Sequence, residues 1–68
     1  MDEEAFQQSI RKFLRTVGMR SQQEIEKAVA SARADGSIGD AQTVPASMVL
    51  EVPGLKLRVS FDGEIHVA

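Results

Sequence analysis

The fold prediction depends on residues 17–24, which read Val17-Gly18-Met19-Arg20-Ser21-Gln22-Gln23-Glu24. Gly18 follows an apolar periodic segment and can adopt the left-handed conformation that ends a helix. Ser21 and Glu24 have the spacing of a capping box, in which the serine hydroxyl and the glutamate carboxylate each accept from the other residue's amide. These residues predict that one helix ends near residue 17 and that a second begins near residue 22.

Apolar side chains recur at helical spacing on both sides of this segment. Before it they are Phe6, Ile10, Phe13, Leu14 and Val17, and after it they are Ile25, Ala28, Val29 and Ala32. Gly36 is a natural stop for the second segment. The pattern predicts helices at about residues 3–17 and 22–35, joined as a hairpin or corner, with the phenylalanines of the first packed on Ala28 and Ala32.

Residues 36–46 contain glycines and a proline and are predicted to form a loop. After them the apolar period changes to two, which is typical of strands with one apolar face. Breaks at Pro53-Gly54 and Asp62-Gly63 predict three short strands at about residues 47–52, 55–61 and 64–67. The predicted fold is α+β, with two helices on one face of a three-stranded antiparallel meander, in a single domain over residues 1–68.

The apolar faces also predict the register of the meander. A two-residue loop at Pro53-Gly54 pairs Val52 with Leu55, although Pro-Gly favours a type II turn, whose twist fits hairpins poorly. A three-residue loop with a left-handed Gly63 pairs Val59 with Ile65 and keeps the faces in phase. The outer, solvated face then carries Glu51, Lys56, Arg58, Glu64 and His66.

Length and composition exclude several classes of protein. A chain of 68 residues buries only about 60% of its unfolded surface, so small folds commonly need disulfides, metals or association. The sequence has no cysteine and one histidine, which excludes disulfides and thiolate metal sites. The net charge of −2 gives no overall attraction to nucleic acid or anionic membranes.

The start, Met1-Asp2-Glu3-Glu4, is acidic where a signal peptide is basic, and the longest aliphatic run, Met48-Val49-Leu50, is too short to span a membrane. We expect a cytoplasmic protein with no membrane partner.

No catalytic, cofactor or metal site is predicted. His66 is the one side chain whose unperturbed pKa lies near neutrality, but the register places it on the exposed face, across from Arg58. The segment from Asp35 to Asp40 resembles the start of a calcium loop, yet the twelfth position is Ala46 rather than an acidic residue. We expect that the chain is not an enzyme and carries no cofactor.

Two binding functions remain open. One is a nucleic-acid-binding, helix-turn-helix-like domain that uses the basic residues Arg11, Lys12, Arg15 and Arg20. Glu24 and Glu26 argue against this function, because their carboxylates would be repelled by the phosphates that line the groove. Nucleic acid is therefore not the expected partner.

The leading hypothesis is a small, non-catalytic protein-interaction module that self-associates. Strand 47–52 is an edge of the meander and carries a single charge, whereas natural edges are usually protected by charges, prolines or bulges. Pairing of this edge with its copy about a two-fold axis, through Met48, Val49, Leu50 and Glu51, would form a homodimer. The sequence predicts no other protein partner by name.

The chain also resembles a known family. The segments that carry the likeness are Ser9-Ile10-Arg11-Lys12-Phe13-Leu14, Val17-Gly18, Ser21-Gln22 and Glu24-Ile25-Glu26-Lys27-Ala28-Val29. They are similar to a family of short, uncharacterised proteobacterial proteins, a domain of unknown function, and the likeness extends over nearly the whole chain. The resemblance implies a free-standing bacterial cytoplasmic protein and supplies no functional residues.

Overall fold

The computed structural model describes residues 2–68. In chain order it has helix α1 at Glu3–Ala34, strand β1 at Thr43–Val52, a single 3-10 turn at Pro53–Leu55, and strand β2 at Leu57–His66. The chain divides into two compact units. One contains α1 and ends at Ser37, and the other is the β-hairpin unit, Ile38–Ala68.

Helix α1 has conventional signals at both ends. The Oδ1 atom of Asp2 caps its start by accepting a hydrogen bond from the backbone N–H of Ala5 at 3.2 Å. Glu3 and Glu4 lie in the first turn and Arg33 in the last, as the helix dipole favours. After the C-cap residue Asp35, Gly36 has a φ of 76°, a conformation that glycine adopts without steric cost.

The prediction of two helices is wrong, because α1 runs without interruption through Gly18 and Ser21. An interior glycine costs a helix only about 1 kcal/mol relative to alanine. The residues that follow it, including Arg20, Gln22 and Gln23, are good helix formers. The capping-box spacing at Ser21 and Glu24 is therefore overridden, and the predicted packing of one helix on the other within the chain is absent.

Replacement of Ser21 by alanine tests this difference. A serine that capped a helix would cost about 1 kcal/mol when removed. In the middle of α1 the same change should instead be neutral or stabilise the helix by a few tenths of a kcal/mol, since alanine has the higher helix propensity. Thermal unfolding followed by circular dichroism measures the sign. A clear loss of stability would show that Ser21 does cap a helix.

The meander is also wrong, because the sheet has two strands, β1 and β2, paired antiparallel. β1 begins at Thr43 rather than at residue 47, so the linker after α1 is shorter than predicted. β2 continues through Asp62 and Gly63, which pair with Ser47 and Ala46 and do not form a turn. The apolar alternation keeps its phase across Gly63, and a continuous strand satisfies that alternation without a bulge.

The hairpin turn has four residues between the pair formed by Val52 and Leu57, where two were predicted. The N–H of Lys56 donates to the carbonyl of Pro53 at 3.1 Å, and Lys56 has a left-handed φ of 53°. The predicted pairing of Val52 with Leu55 is therefore wrong by two residues. Because side chains alternate with a period of two, this shift leaves the residues shared by the predicted and observed strands on their predicted faces. Leu55 and Lys56, predicted to begin the second strand, lie in the turn instead.

Burial is slight throughout the part of the chain that the structure describes. Val67, at 7% exposure, is the one apolar side chain there that counts as buried. Its N–H donates to the carbonyl of Gln42 at 2.9 Å, which closes the open end of the hairpin. Neither a single helix nor a two-stranded hairpin can enclose a core by itself, and such hairpins are marginal in water.

Candidate interaction surface

The first candidate surface is one apolar stripe along α1, which we call the helix stripe. Its members are Phe6, Ile10, Phe13, Leu14, Val17, Ser21, Ile25, Ala28 and Ala32. Positions recur eleven residues apart, as Phe6, Val17 and Ala28 do. Eleven residues make three turns at 3.67 per turn, close to the geometry of a straight helix, so the stripe stays on one side. The same spacing places Glu3, eleven residues before Leu14, and Glu24, eleven residues after Phe13, on this side as well, so two carboxylates interrupt the apolar surface. Phe13 remains 55% exposed and Leu14 54% exposed.

Sequence reasoning divided this stripe into two helices and missed it as a single surface. The signal was available in the eleven-residue spacing, which continues across Gly18 without a change of phase. Ser21, interpreted as a cap, lies on the stripe itself and is half-buried. The result is an apolar surface about twice as long as either predicted helix would have presented.

The charges of α1 occur in blocks along its length. Asp2, Glu3 and Glu4 form an acidic start, and Arg11, Lys12, Arg15 and Arg20 form a basic middle. Glu24 and Glu26 follow, with Glu24 3.7 Å from the Lys27 ammonium and Glu26 accepting a 3.0 Å hydrogen bond from the Gln22 amide. Both contacts are exposed and local, so they support the helix only weakly.

The four basic residues proposed for nucleic-acid binding all lie in the middle of α1. At 100° per residue, Arg11, Lys12, Arg15 and Arg20 are distributed over about half of the helix circumference, outside the helix stripe. The turn that a helix-turn-helix requires does not exist at residues 18–21. These residues consequently have no recognition helix beside them in the unit that contains α1.

The second candidate surface is one face of the hairpin, which we call the hairpin face. Pairing places Val44, Ala46, Met48, Leu50 and Val52 beside Ile65, Gly63, Phe61, Val59 and Leu57. All ten residues are uncharged and apolar or glycine. Phe61 is 56% exposed and Met48 45% exposed. The opposite face carries the polar residues, among them Glu51, Arg58, Glu64 and His66.

The predicted self-association edge, Met48–Glu51, lies in β1, which pairs with β2 along one side. In a two-stranded sheet of the order β1-β2, the other side of each strand is an open edge. Pro45 lies inside β1 opposite Glu64. Because Val67 donates to Gln42 in the pair two before Val44 and Ile65, the alternation of the ladder turns the Pro45 nitrogen toward the open edge, where it removes one donor. Val49 is exposed on the polar face, as expected. Pairing of this edge with a second copy stays a prediction.

The residues considered for chemistry are dispersed. His66 pairs with Thr43 at the end of the hairpin and does not lie across from Arg58, as the three-stranded register had placed it. Residues 2–68 contain no group of three or more histidine, aspartate or glutamate side chains that could hold a metal ion. A depression of about 280 Å³ is lined by Met19, Gln22, Gln23 and Glu26. All four lie on α1, so this depression has no opposing wall.

The linker after α1 begins with a local turn and not with a calcium site. The Oδ1 atom of Asp35 accepts a hydrogen bond from the Ser37 N–H at 2.8 Å. Hydrogen bonds from the Ser37 side chain and backbone lower the pKa of the exposed Asp35 carboxyl below its ordinary 3.8. This carboxylate therefore stays ionised and stabilises the turn at neutral pH.

Comparisons with known proteins bear on this chain in one way. No curated protein and no solved structure matches it. No helix within residues 2–68 is long and apolar enough to cross a membrane. A family of unknown function, DUF6494, matches residues 1–68, which is the full length of the sequence. The chain therefore belongs to the DUF6494 family.

Proposed function

We propose that this protein is a small, non-catalytic protein-interaction module that binds through the helix stripe and the hairpin face. The observation that supports this function most directly is the exposure of large apolar side chains on both surfaces, Phe13 and Phe61 among them. Contiguous exposed apolar patches of this kind mark interaction sites in soluble proteins. Scattered exposed apolar residues would not indicate an interaction site, but the residues here lie on one side of α1 and on one face of the hairpin.

The energetics of the two units support the same proposal. Most of the stability of a helix in a protein comes from packing of its apolar side, and a lone hairpin is marginal. Full burial of one phenylalanine or leucine side chain stabilises a fold by about 1.5–3 kcal/mol. The helix stripe and the hairpin face leave many such side chains exposed. A protein partner that covers them would supply the missing stabilisation.

Site-specific photo-crosslinking in the producing cell tests the proposed function. A photoreactive phenylalanine analogue replaces Phe13 on the helix stripe or Phe61 on the hairpin face. Matched controls carry it at Gln8, on the opposite side of α1, or at Ser60, on the polar face of β2. We expect protein adducts from positions 13 and 61 at several times the yield from 8 and 60, whether the captured protein is another copy or a different chain. Equal yields at all four positions, or no adducts, would contradict the proposal.

A further inference from the structure

The open edge of β1 has backbone groups that can be identified from the ladder. The N–H of Val67 donates to the carbonyl of Gln42 at 2.9 Å. Hydrogen-bonded and non-hydrogen-bonded pairs alternate in an antiparallel ladder, so every second residue from Val44 to Val52 bonds to β2. The intervening residues direct their backbone groups to the open edge, and they are Thr43, Pro45, Ser47, Val49 and Glu51. Because only Pro45 lacks an N–H, the edge has all its donors and acceptors over residues 47–51.

Val49 is an apolar residue in the middle of this edge segment. It lies opposite Ser60 on the polar face of the hairpin and is 46% exposed. The other residues of that face are polar, charged or proline. The hairpin therefore gives Val49 no apolar residue directly across the ladder. A β-branched apolar side chain of this kind is suited to packing against a neighbouring strand, and the open edge is where such a strand can bind.

The distribution of charge separates the β1 edge from the β2 edge. Glu51 lies opposite Arg58, so the one charged side chain of the β1 edge has a cation across the hairpin. On the β2 edge, Asp62 and Glu64 lie opposite Ser47 and Pro45 and have no cation across the hairpin. Pairing of two β2 edges would concentrate these carboxylates in one interface, and charged edge residues are a common protection against such pairing. The β1 edge is therefore the better one for a second strand.

A two-fold axis at Val49 gives this edge a self-complementary register. Val49 then lies opposite the Val49 of a second copy, and Ser47 lies opposite Glu51, where its hydroxyl can donate to the carboxylate. Every N–H and C=O directed outward from residues 47–51 has a partner in this register. Pro45 falls opposite Pro53, beyond the paired segment. An axis one residue earlier would place Pro45 opposite Glu51 and leave the Glu51 carbonyl without a donor.

From these features we propose that the open edge of β1 pairs antiparallel with β1 of a second copy, about a two-fold axis at Val49. The product is a four-stranded sheet of the order β2-β1-β1-β2, in which Met48 of one copy lies beside Leu50 of the other on the apolar face. A sheet of three or more strands with an apolar face can be stable where a lone hairpin is marginal. The edge is distinct from the helix stripe and the hairpin face, so the pairing goes beyond the proposed function.

Amide hydrogen exchange, measured by NMR on the purified full chain, tests the pairing residue by residue. In the single hairpin the N–H groups of Ser47, Val49 and Glu51 are directed away from β2, and that of Ser60 is directed away from β1. Pairing protects the first three and leaves Ser60 as a control in the same spectrum. We expect the three amides to exchange about tenfold more slowly once about nine-tenths of the chains are paired, because exchange then occurs from the remaining single chains. Protection at Ser60 and Asp62 instead would assign the interface to β2 and overturn the proposal.

Charge substitutions at residue 49 test the register. Val49→Lys and Val49→Glu, each alone, should weaken the dimer by at least about tenfold in dissociation constant, because like charges then lie directly opposite each other. An equimolar mixture of the two variants should pair again, since opposite charges then face each other. Ser60→Lys is the matched control on the same face of the other strand, and it should leave the dimer unchanged. Sedimentation velocity measures all four samples. A mixture that stays monomeric, or a Ser60→Lys variant as weak as Val49→Lys, would contradict the proposed register.

The edge pairing and the interaction module fail differently. A purified chain that stays monomeric up to about 1 mM, the concentration that corresponds to the weakest specific affinities, overturns the edge-paired dimer. The interaction module survives that result if positions 13 and 61 still form protein adducts in the cell. A dimer with the expected amide protection, in a chain whose positions 13 and 61 form no adducts, would support the edge pairing and contradict the interaction module.

Discussion

Replacement of Gln22 by proline should unfold much of the protein. Proline inside a helix removes a backbone hydrogen bond and its ring clashes with the preceding turn, at a cost of about 3 kcal/mol or more. A domain of this size has a total stability of roughly 3–10 kcal/mol. Gln22 lies in the middle of α1, so we expect a large loss of helical circular dichroism and of thermal stability.

The same substitution would have the opposite outcome if a helix began at Ser21. Gln22 would then be the first helical residue, where proline is favoured because its missing N–H has no helical partner. Gln22→Ala is the matched control, since it removes the hydrogen bond to Glu26 without the backbone effect. A Gln22→Pro variant as stable as Gln22→Ala would mean that the chain contains two helices after all.

Replacement of Val59 by aspartate should be the second large effect. Val59 lies opposite Leu50 in the centre of the hairpin face and is 38% exposed in the single chain. If a partner covers this face, the new carboxylate must be desolvated or must displace the partner, which costs several kcal/mol. We expect a loss of at least about 2 kcal/mol from the stability of the assembled protein, measured by denaturant unfolding.

Ser60→Asp is the control for this change. It places the same charge on the neighbouring residue, on the polar face of the same strand. Differences in β propensity alone amount to about 1 kcal/mol across all residue types. If Val59→Asp and Ser60→Asp reduce stability equally, the hairpin face is open to water in the working protein and is not a binding surface.

Local sequence signals predicted the helical content but not the number of helices. The apolar spacing from Phe6 to Val17 and from Ile25 to Ala32 placed most of α1 correctly. Gly18 and Ser21 are typical of helix ends, yet their preferences amount to about 1 kcal/mol each. In a helix of 32 residues, the backbone hydrogen bonds that an unbroken helix keeps stabilise it by more than that cost. The eleven-residue apolar spacing, which continues across Gly18, was the stronger signal and indicated one continuous helix.

The strand faces could be predicted and the strand ends could not. Alternation from Met48 to Val52 and from Leu57 to Phe61 fixes which side chains share a face, and a register error of two residues leaves that unchanged. The sequence predicts that Pro45 belongs to the loop of residues 36–46 and that Asp62-Gly63 forms a turn between two strands. Pro45 lies inside β1, where a sheet of two strands tolerates it as an edge residue. Turn propensity is a local property, and it does not show whether a residue pairs with a residue of another strand.

The candidate surfaces were predicted in part. The residues of the hairpin face were recognised as apolar, but they were assigned to a core beneath two helices. The edge at Met48–Glu51 remains a prediction. The helix stripe was not predicted as one surface, because the helix-end signals at Gly18 and Ser21 outweighed the eleven-residue spacing that continues across them.

The near absence of buried side chains has a consequence for the amount of this protein that a cell maintains. With Val67 as the one buried apolar residue among those described, a partner that binds as proposed would stabilise the folded state by mass action. Copies made in excess of that partner would spend longer unfolded, and unfolded chains are removed by proteases. Steady-state abundance would then follow the stoichiometry of assembly and not the rate of synthesis alone.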